Sequence, residues 1–178
     1  MPELRFLWLA PFCLLASLAA ADDSPCRGLE GRFAYVGQLL DGDPAQLFPN
    51  DPDVVKALFP EQGRIDVGAG IDRFRFSFEA GRVYLELHGP AGPVSRINVA
   101  GNRDFQYCDG EALVIERLRR TLAGSVYQFS RYRHVLRLDA KGDMLLESGV
   151  TSQYRAWMMA WERPKESWRI RFARVPRG

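Results

Sequence analysis

Residues 73–88 read Arg73-Phe74-Arg75-Phe76-Ser77-Phe78-Glu79-Ala80-Gly81-Arg82-Val83-Tyr84-Leu85-Glu86-Leu87-His88. Phe74, Phe76 and Phe78 alternate with Arg73, Arg75, Ser77 and Glu79. After the Ala80-Gly81-Arg82 turn, Val83, Leu85 and Leu87 alternate with Tyr84, Glu86 and His88. Successive side chains of an extended chain point to opposite faces, so this period of two predicts an antiparallel hairpin with one apolar face. Outward from it, Gly89, Pro90, Gly92 and Pro93 break the ladder, and further strands are expected at 94–100, 112–118, 126–138, 144–148, 153–161 and 168–175. Gly101-Asn102, Asp109-Gly110, Gly124, Lys141-Gly142-Asp143, Gly149 and Arg163-Pro164-Lys165 supply the turns between them. Short strands joined by tight reversals, with almost no amphipathic helix, predict an all-β antiparallel meander closed into a small barrel. A two-sheet sandwich is the alternative.

One stretch departs from the pattern. Residues 41–70 hold Pro44, Pro49, Pro52 and Pro60 with Gly42, Gly63, Gly68 and Gly70, too many interruptions for a ladder. They read as a long loop after the first strand, acting as a lid or a packed cover. The loop is expected to contain one short helix, capped by Asn50 or Asp51, opened by Pro52, apolar along Val54, Val55 and Leu58, and stopped by Pro60.

The N-terminus reads as an address. Arg5 precedes an apolar run from Phe6 to Leu18 that ends in Ala19, Ala20 and Ala21, the layout of an export signal and too short for a bilayer span. Cleavage near Asp22 would leave residues 22–178 as a single domain with no transmembrane segment, periplasmic or secreted. Cys13 would leave with the leader, and Cys26 and Cys108 are then expected to form one disulfide. Neither cysteine follows the Leu-like and small residues of a lipoprotein signal, so lipid anchoring is not predicted.

Charge divides the mature chain. Residues 22–112 hold nine basic against fifteen acidic residues, and residues 113–178 fourteen against six. The near-balance overall argues against a nucleic-acid partner. The split leaves two readings open, either opposed solvated faces or an anionic ligand on the basic part. Arg outnumbers Lys twenty-one to three, which fits the codon usage of a GC-rich bacterium better than a phosphate site, because most of the Arg alternate along strands.

No metalloprotease, nucleophile-elbow, phosphate-loop or zinc-cluster spacing occurs, so no cofactor, metal or catalytic residue is predicted. His134 shares an inward face with Tyr132, Leu136 and Leu138, and His88 is expected to be solvated at a strand end. Asp104, Asp109 and Glu111 read as turn chemistry. In 154–161, Tyr154, Ala156, Met158 and Ala160 fall on one face of a single strand and Arg155, Trp157, Met159 and Trp161 on the other, so both faces are largely apolar and both are expected to be covered. Candidate ligand contacts are therefore Tyr132, His134, Trp157, Met158, Met159 and Trp161, with Arg131 and Arg133 as anion partners.

Gly31-Arg32-Phe33 resembles the Gly-x-Trp of the first strand of lipocalin-like barrels, with Phe in place of Trp; it spans three positions and assigns no family. The resemblance implies hydrophobic-ligand binding. The expected function is a non-enzymatic, exported bacterial barrel that binds a small apolar or amphipathic ligand in the cell envelope. A structural or protein-interaction module without a pocket is the alternative, and an unrecognised hydrolase the least favoured.

Overall fold

The computed structural model describes residues 25–42, 52–62, 65–101 and 104–176. The expected leader, residues 1–21, and the expected caps Asn50 and Asp51 lie outside these. The chain is mostly β and its sheets are antiparallel throughout. A 3-10 helix, Pro25–Leu29, leads into β1 (Phe33–Ala34) and β2 (Gln38–Asp41). After a short helix, α1 (Val54–Leu58), come β3 (Arg73–Glu79), β4 (Arg82–Gly89), β5 (Gly92–Asn98), β6 (Asp104–Asp109) and β7 (Ala112–Ala123). The chain ends with β8 (Val126–Leu138), β9 (Met144–Ala156), β10 (Met159–Glu162) and β11 (Glu166–Phe172).

Two sheets result. One has the order β1-β3-β4-β5 and the other β2-β11-β9-β8-β7-β6, with β10 added to the end of β9. The first strand segment is shared: β1 pairs with β3, β2 pairs with β11, and a bridge joins Phe33 to Arg174. Gly37 sits at the bend between β1 and β2, where a Cβ would lie 2.5 Å from Ile170 Cγ2 and 2.8 Å from Phe172, so only glycine lets the backbone pass. Neither sheet closes on itself among the described residues, and a closed barrel is not seen.

The hairpin of residues 73–88 forms in the register its alternation requires, with Phe74 opposite Leu87 and Phe76 opposite Leu85. Phe74 is buried and meets Phe33 at 5.7 Å, Phe76 at 5.9 Å and, from the other sheet, Phe172 at 5.4 Å between ring centroids. Edge-on aromatic contact of this kind adds to an area term of roughly 1.5–3 kcal/mol for each fully buried side chain. One hydrophobic cluster takes residues from both sheets, the N-terminal 3-10 helix and α1. Cys26 and Cys108 are joined by a disulfide that ties that 3-10 helix to β6.

The long loop is a packed cover over its described part. Val54, Ala57 and Leu58 are fully buried, with Val55 and Phe59 nearly so, which occupies space between the sheets. Its helix is capped by Asp53, whose side chain accepts from Lys56 N at 2.8 Å.

Several strand boundaries differ from the expected ones: β6 lies where only turns are expected, β7 runs on to Ala123, β11 spans Glu166–Phe172, and three further differences have a local cause. Gly149 is not a turn but lies inside β9, opposite Arg133 and Ser167, so segments 144–148 and 153–156 are one strand. Gly92 and Pro93 begin β5 instead of ending the ladder; β5 is an edge strand, where a missing N–H costs no pairing. The expected single strand 153–161 is a hairpin. Trp157-Met158 is its two-residue turn, and Met159 pairs back onto Ala156.

Candidate functional site

The larger sheet has an inner face, toward the core, and an outer one. On β8 the even positions point inward and the odd ones outward, which is the burial sequence observed from Val126 to Leu138. This separates the candidates that sequence reading placed together. Tyr132 and His134 lie inside, stacked with ring centroids 6.5 Å apart, while Arg131 and Arg133 lie outside, both bound to Glu116 at 2.7 and 3.5 Å. Met159 and Trp161 are on the inner face beyond the core, where Trp161 stacks on Tyr154 at 5.5 Å. Trp157 and Met158 belong to neither face, because they form the tip of the β9–β10 turn.

His134 is a core residue. It is fully buried, and its Nδ1 lies 2.8 Å from Ser148 Oγ, itself 4% exposed. A Ser–His pair invites a nucleophile reading, but both side chains are buried on the inner face of the sheet. Burial, and then the nearby Arg117 guanidinium, pushes the imidazole pKa down to about 3, so the ring is neutral at ordinary pH. Arg117 is also fully buried. It donates to the carbonyls of Leu58 and Val99, stacks on Phe59 and lies 3.5 Å from Asp104, so it fastens α1 to β7.

Asp104 is thereby drawn into the fold instead of a turn: Arg119 binds it at 2.6 Å, and Gly101 N donates to it. Despite its burial, these donors hold its carboxyl below the usual range. His88 is not solvated; its side chain is 14% exposed beside Glu86, and burial with Arg75 lowers its pKa. Among the described residues no three His, Cys, Asp or Glu side chains come together to hold a metal ion.

A concavity of about 640 Å³ lies on the smaller sheet, beside Arg73, Arg75, His88 and Arg96, and two more lie on the outer face of the larger one. Of these two, one of about 420 Å³ runs over Gly149 between Arg133, Lys165 and Arg169. The other, of about 940 Å³, is bounded by Phe105, Leu118, Phe129, Arg120 and Arg163. They share Arg131, Thr151 and Lys165, so they form one groove across β7, β8 and β9. Its far end is apolar, since Phe105 and Leu118 are each more than half exposed. Its middle carries more cations than carboxylates, with Arg120, Arg131, Arg133, Arg163, Lys165 and Arg169 against Asp41, Glu147 and Glu162. Arg120 stacks on Tyr127 at 4.4 Å, and Arg120, Arg163 and Lys165 have no carboxylate partner among the described residues. Gly149 forms the floor between the two halves, where a Cβ would come within 3.0 Å of Lys165 Cε. The absent side chain lets the Lys165 stem lie close over the strand.

Of the earlier candidates only Arg131 and Arg133 line this groove. Phe105, Leu118, Phe129, Arg163 and Lys165 were missed, although one signal was available. With His134 and Leu136 inward, the same alternation sets Tyr127 and Phe129 outward, an aromatic pair on the face that also carries Arg131, Arg133 and Arg137. No family model, no curated protein and no solved structure matches the chain at a significant level.

Proposed function

We propose that this protein is an exported, non-enzymatic domain of the bacterial cell envelope that binds a small amphiphile with an anionic head. The ligand lies along the outer groove of the larger sheet instead of inside it. The observation that carries this is the juxtaposition of an apolar end, Phe105, Leu118 and Phe129, with Arg131, Arg163 and Lys165 in one concavity. Its volume falls within the range of small-molecule sites. The space between the sheets is meanwhile occupied by Phe33, Phe74, Leu58 and Phe172. On this reading the strands form an opened barrel, joined through β1 and β11, whose interior serves stability and whose outside serves recognition.

Export rests on the leader-like N-terminus and fits the Cys26–Cys108 disulfide, which persists only in an oxidising compartment. No described helix is long and apolar enough to cross a membrane.

Native mass spectrometry of protein recovered from a bacterial periplasm should find a bound amphiphile. Dodecyl phosphate should bind saturably to the stripped protein, and Lys165→Gln with Phe129→Ala should weaken it at least tenfold. Gly149→Val, which fills the floor, should do the same. Repeated ligand-free spectra with no saturable binding would overturn this reading. They would favour instead a protein-interaction module, for which β6 is the specific pointer: a sheet-edge strand with Phe105 and Tyr107 exposed.

A further inference from the structure

The end of the larger sheet away from the N-terminal 3-10 helix carries two hairpin turns side by side. Tyr127 of β8 lies opposite Arg155 of β9, so the β7–β8 turn at Gly124 and the β9–β10 turn at Trp157-Met158 close the sheet at the same end. Tight turns usually present Gly, Asn or Asp to water. Here the second turn presents Trp157 at 99% exposure and Met158 at 96%, with Met159 and Leu122 also more than half exposed. Trp157 occupies φ +50, a left-handed conformation that a bulky side chain adopts at a cost. The fold therefore holds a large aromatic residue in a strained conformation at a site where it touches nothing.

The charge around this tip has one sign. Neither 119–128 nor 154–161 contains an acidic residue, while Arg120 and Arg155 flank the apolar side chains. Their guanidiniums stack on Tyr127 and Phe129 and have no carboxylate partner among the described residues. Arg119, the remaining cation of the two segments, is bound to Asp104.

We infer that this tip docks onto an anionic lipid surface. Trp157, Met158 and Leu122 enter the interfacial layer, and Arg120 and Arg155 meet lipid phosphates. A tip that projects, with apolar side chains at its apex and cations behind them, matches the layering of a membrane interface, with hydrocarbon beneath a negatively charged plane. An indole is well placed there, because its body is apolar and its N–H remains near water. This contact adjoins the outer groove at Arg120, but its apex is distinct, since neither Trp157 nor Met158 lines the groove.

The test is co-sedimentation of the protein, recovered from an exporting host, with vesicles of mixed phosphatidylglycerol and phosphatidylcholine and with vesicles of phosphatidylcholine alone. Binding is expected to the mixed vesicles, with a blue shift of tryptophan emission, and to weaken as salt screens the arginines. Trp157→Ser with Met158→Ser should reduce binding about a hundredfold, roughly tenfold for each side chain withdrawn from the interface. Arg155→Gln should lower the preference for the anionic vesicles and leave Trp157 insertion measurable. Circular dichroism should be unchanged in all of these, because the tip packs against nothing. Three results would overturn the inference. These are absence of binding to the anionic vesicles, binding that survives the double tip substitution, or self-association of the wild type in solution that the same substitution abolishes. Loss of dodecyl phosphate binding in Lys165→Gln with vesicle binding intact would leave the tip standing and bear on the groove alone.

Discussion

Acid should destabilise this protein before its carboxylates begin to titrate, and His134 is the reason. In the folded chain the imidazole is fully buried and its pKa is about 3. Its Nδ1 meets Ser148, while Nε2 has no hydrogen-bond partner among the described residues. An imidazolium would need an acceptor at both nitrogens and would face Arg117 as well. In the unfolded chain the ring returns to its ordinary value near 6.5. A depressed folded pKa means that the unfolded state binds the proton first, so stability is unaffected above about pH 6.5 and is lost as pH falls below it. The slope is about 1.4 kcal/mol per pH unit, which gives a loss of about 2 kcal/mol at pH 5 and about 5 kcal/mol by pH 3, where the folded ring protonates too. Half-buried His88 adds in the same direction. The assay is urea denaturation at a series of pH values from about 7.5 to about 5, comparing wild type with His134→Gln, an amide that can still reach Ser148. Whatever the substitution costs at neutral pH, the curve of the variant should be flatter by the histidine slope. Parallel curves for the two proteins would refute the assignment, and so would a wild type whose stability does not change across that window.

Other consequences are as direct. Replacing Cys26 and Cys108 by Ser releases a closure spanning 82 residues and should cost about 4 kcal/mol in chemical denaturation, while the native protein should show no reactive thiol when unfolded without reductant. Phe74→Ala should cost about 3–5 kcal/mol, because three neighbouring rings from two sheets lose a partner at once. Arg117→Met leaves Asp104 short of a cation and the Leu58 and Val99 carbonyls without their donor, and should cost about 3–5 kcal/mol, read as a lower urea midpoint. Trp157→Gly should instead leave the protein unchanged or about 1 kcal/mol more stable, since the φ of +50 suits glycine and an exposed indole contributes no packing.

The candidate site was legible only in part. Residues 131–134 carry both of its halves, but adjacent positions on a strand cannot share a face, so Arg131 and Arg133 joined the outer groove while Tyr132 and His134 entered the core. The alternation contained that separation, and grouping by chemical type concealed it. The apolar character of both sides of 154–161 is explained by the chain folding back at Trp157, which sets Tyr154 against Trp161 on one face. Period counting fails at such a point, because the phase reverses at a turn made of residues that carry no turn signal.

Local chemistry determined much of this molecule. The two-residue period of 73–88, the apolar side of α1 and the pairing of the only two cysteines beyond residue 21 each depend on neighbouring positions or on simple elimination, so one sequence suffices to read them. The strand order did not follow from it. That β1 and β2 belong to different sheets, that Gly37 must pass over Ile170 and Phe172, that Gly149 lies within a strand, and that α1 and Phe59 occupy the space between the sheets were decided by contacts distant along the chain. Alternation states which side chains share a face, but only the packed chain determines what that face meets, because burial is a property of the partner as much as of the residue.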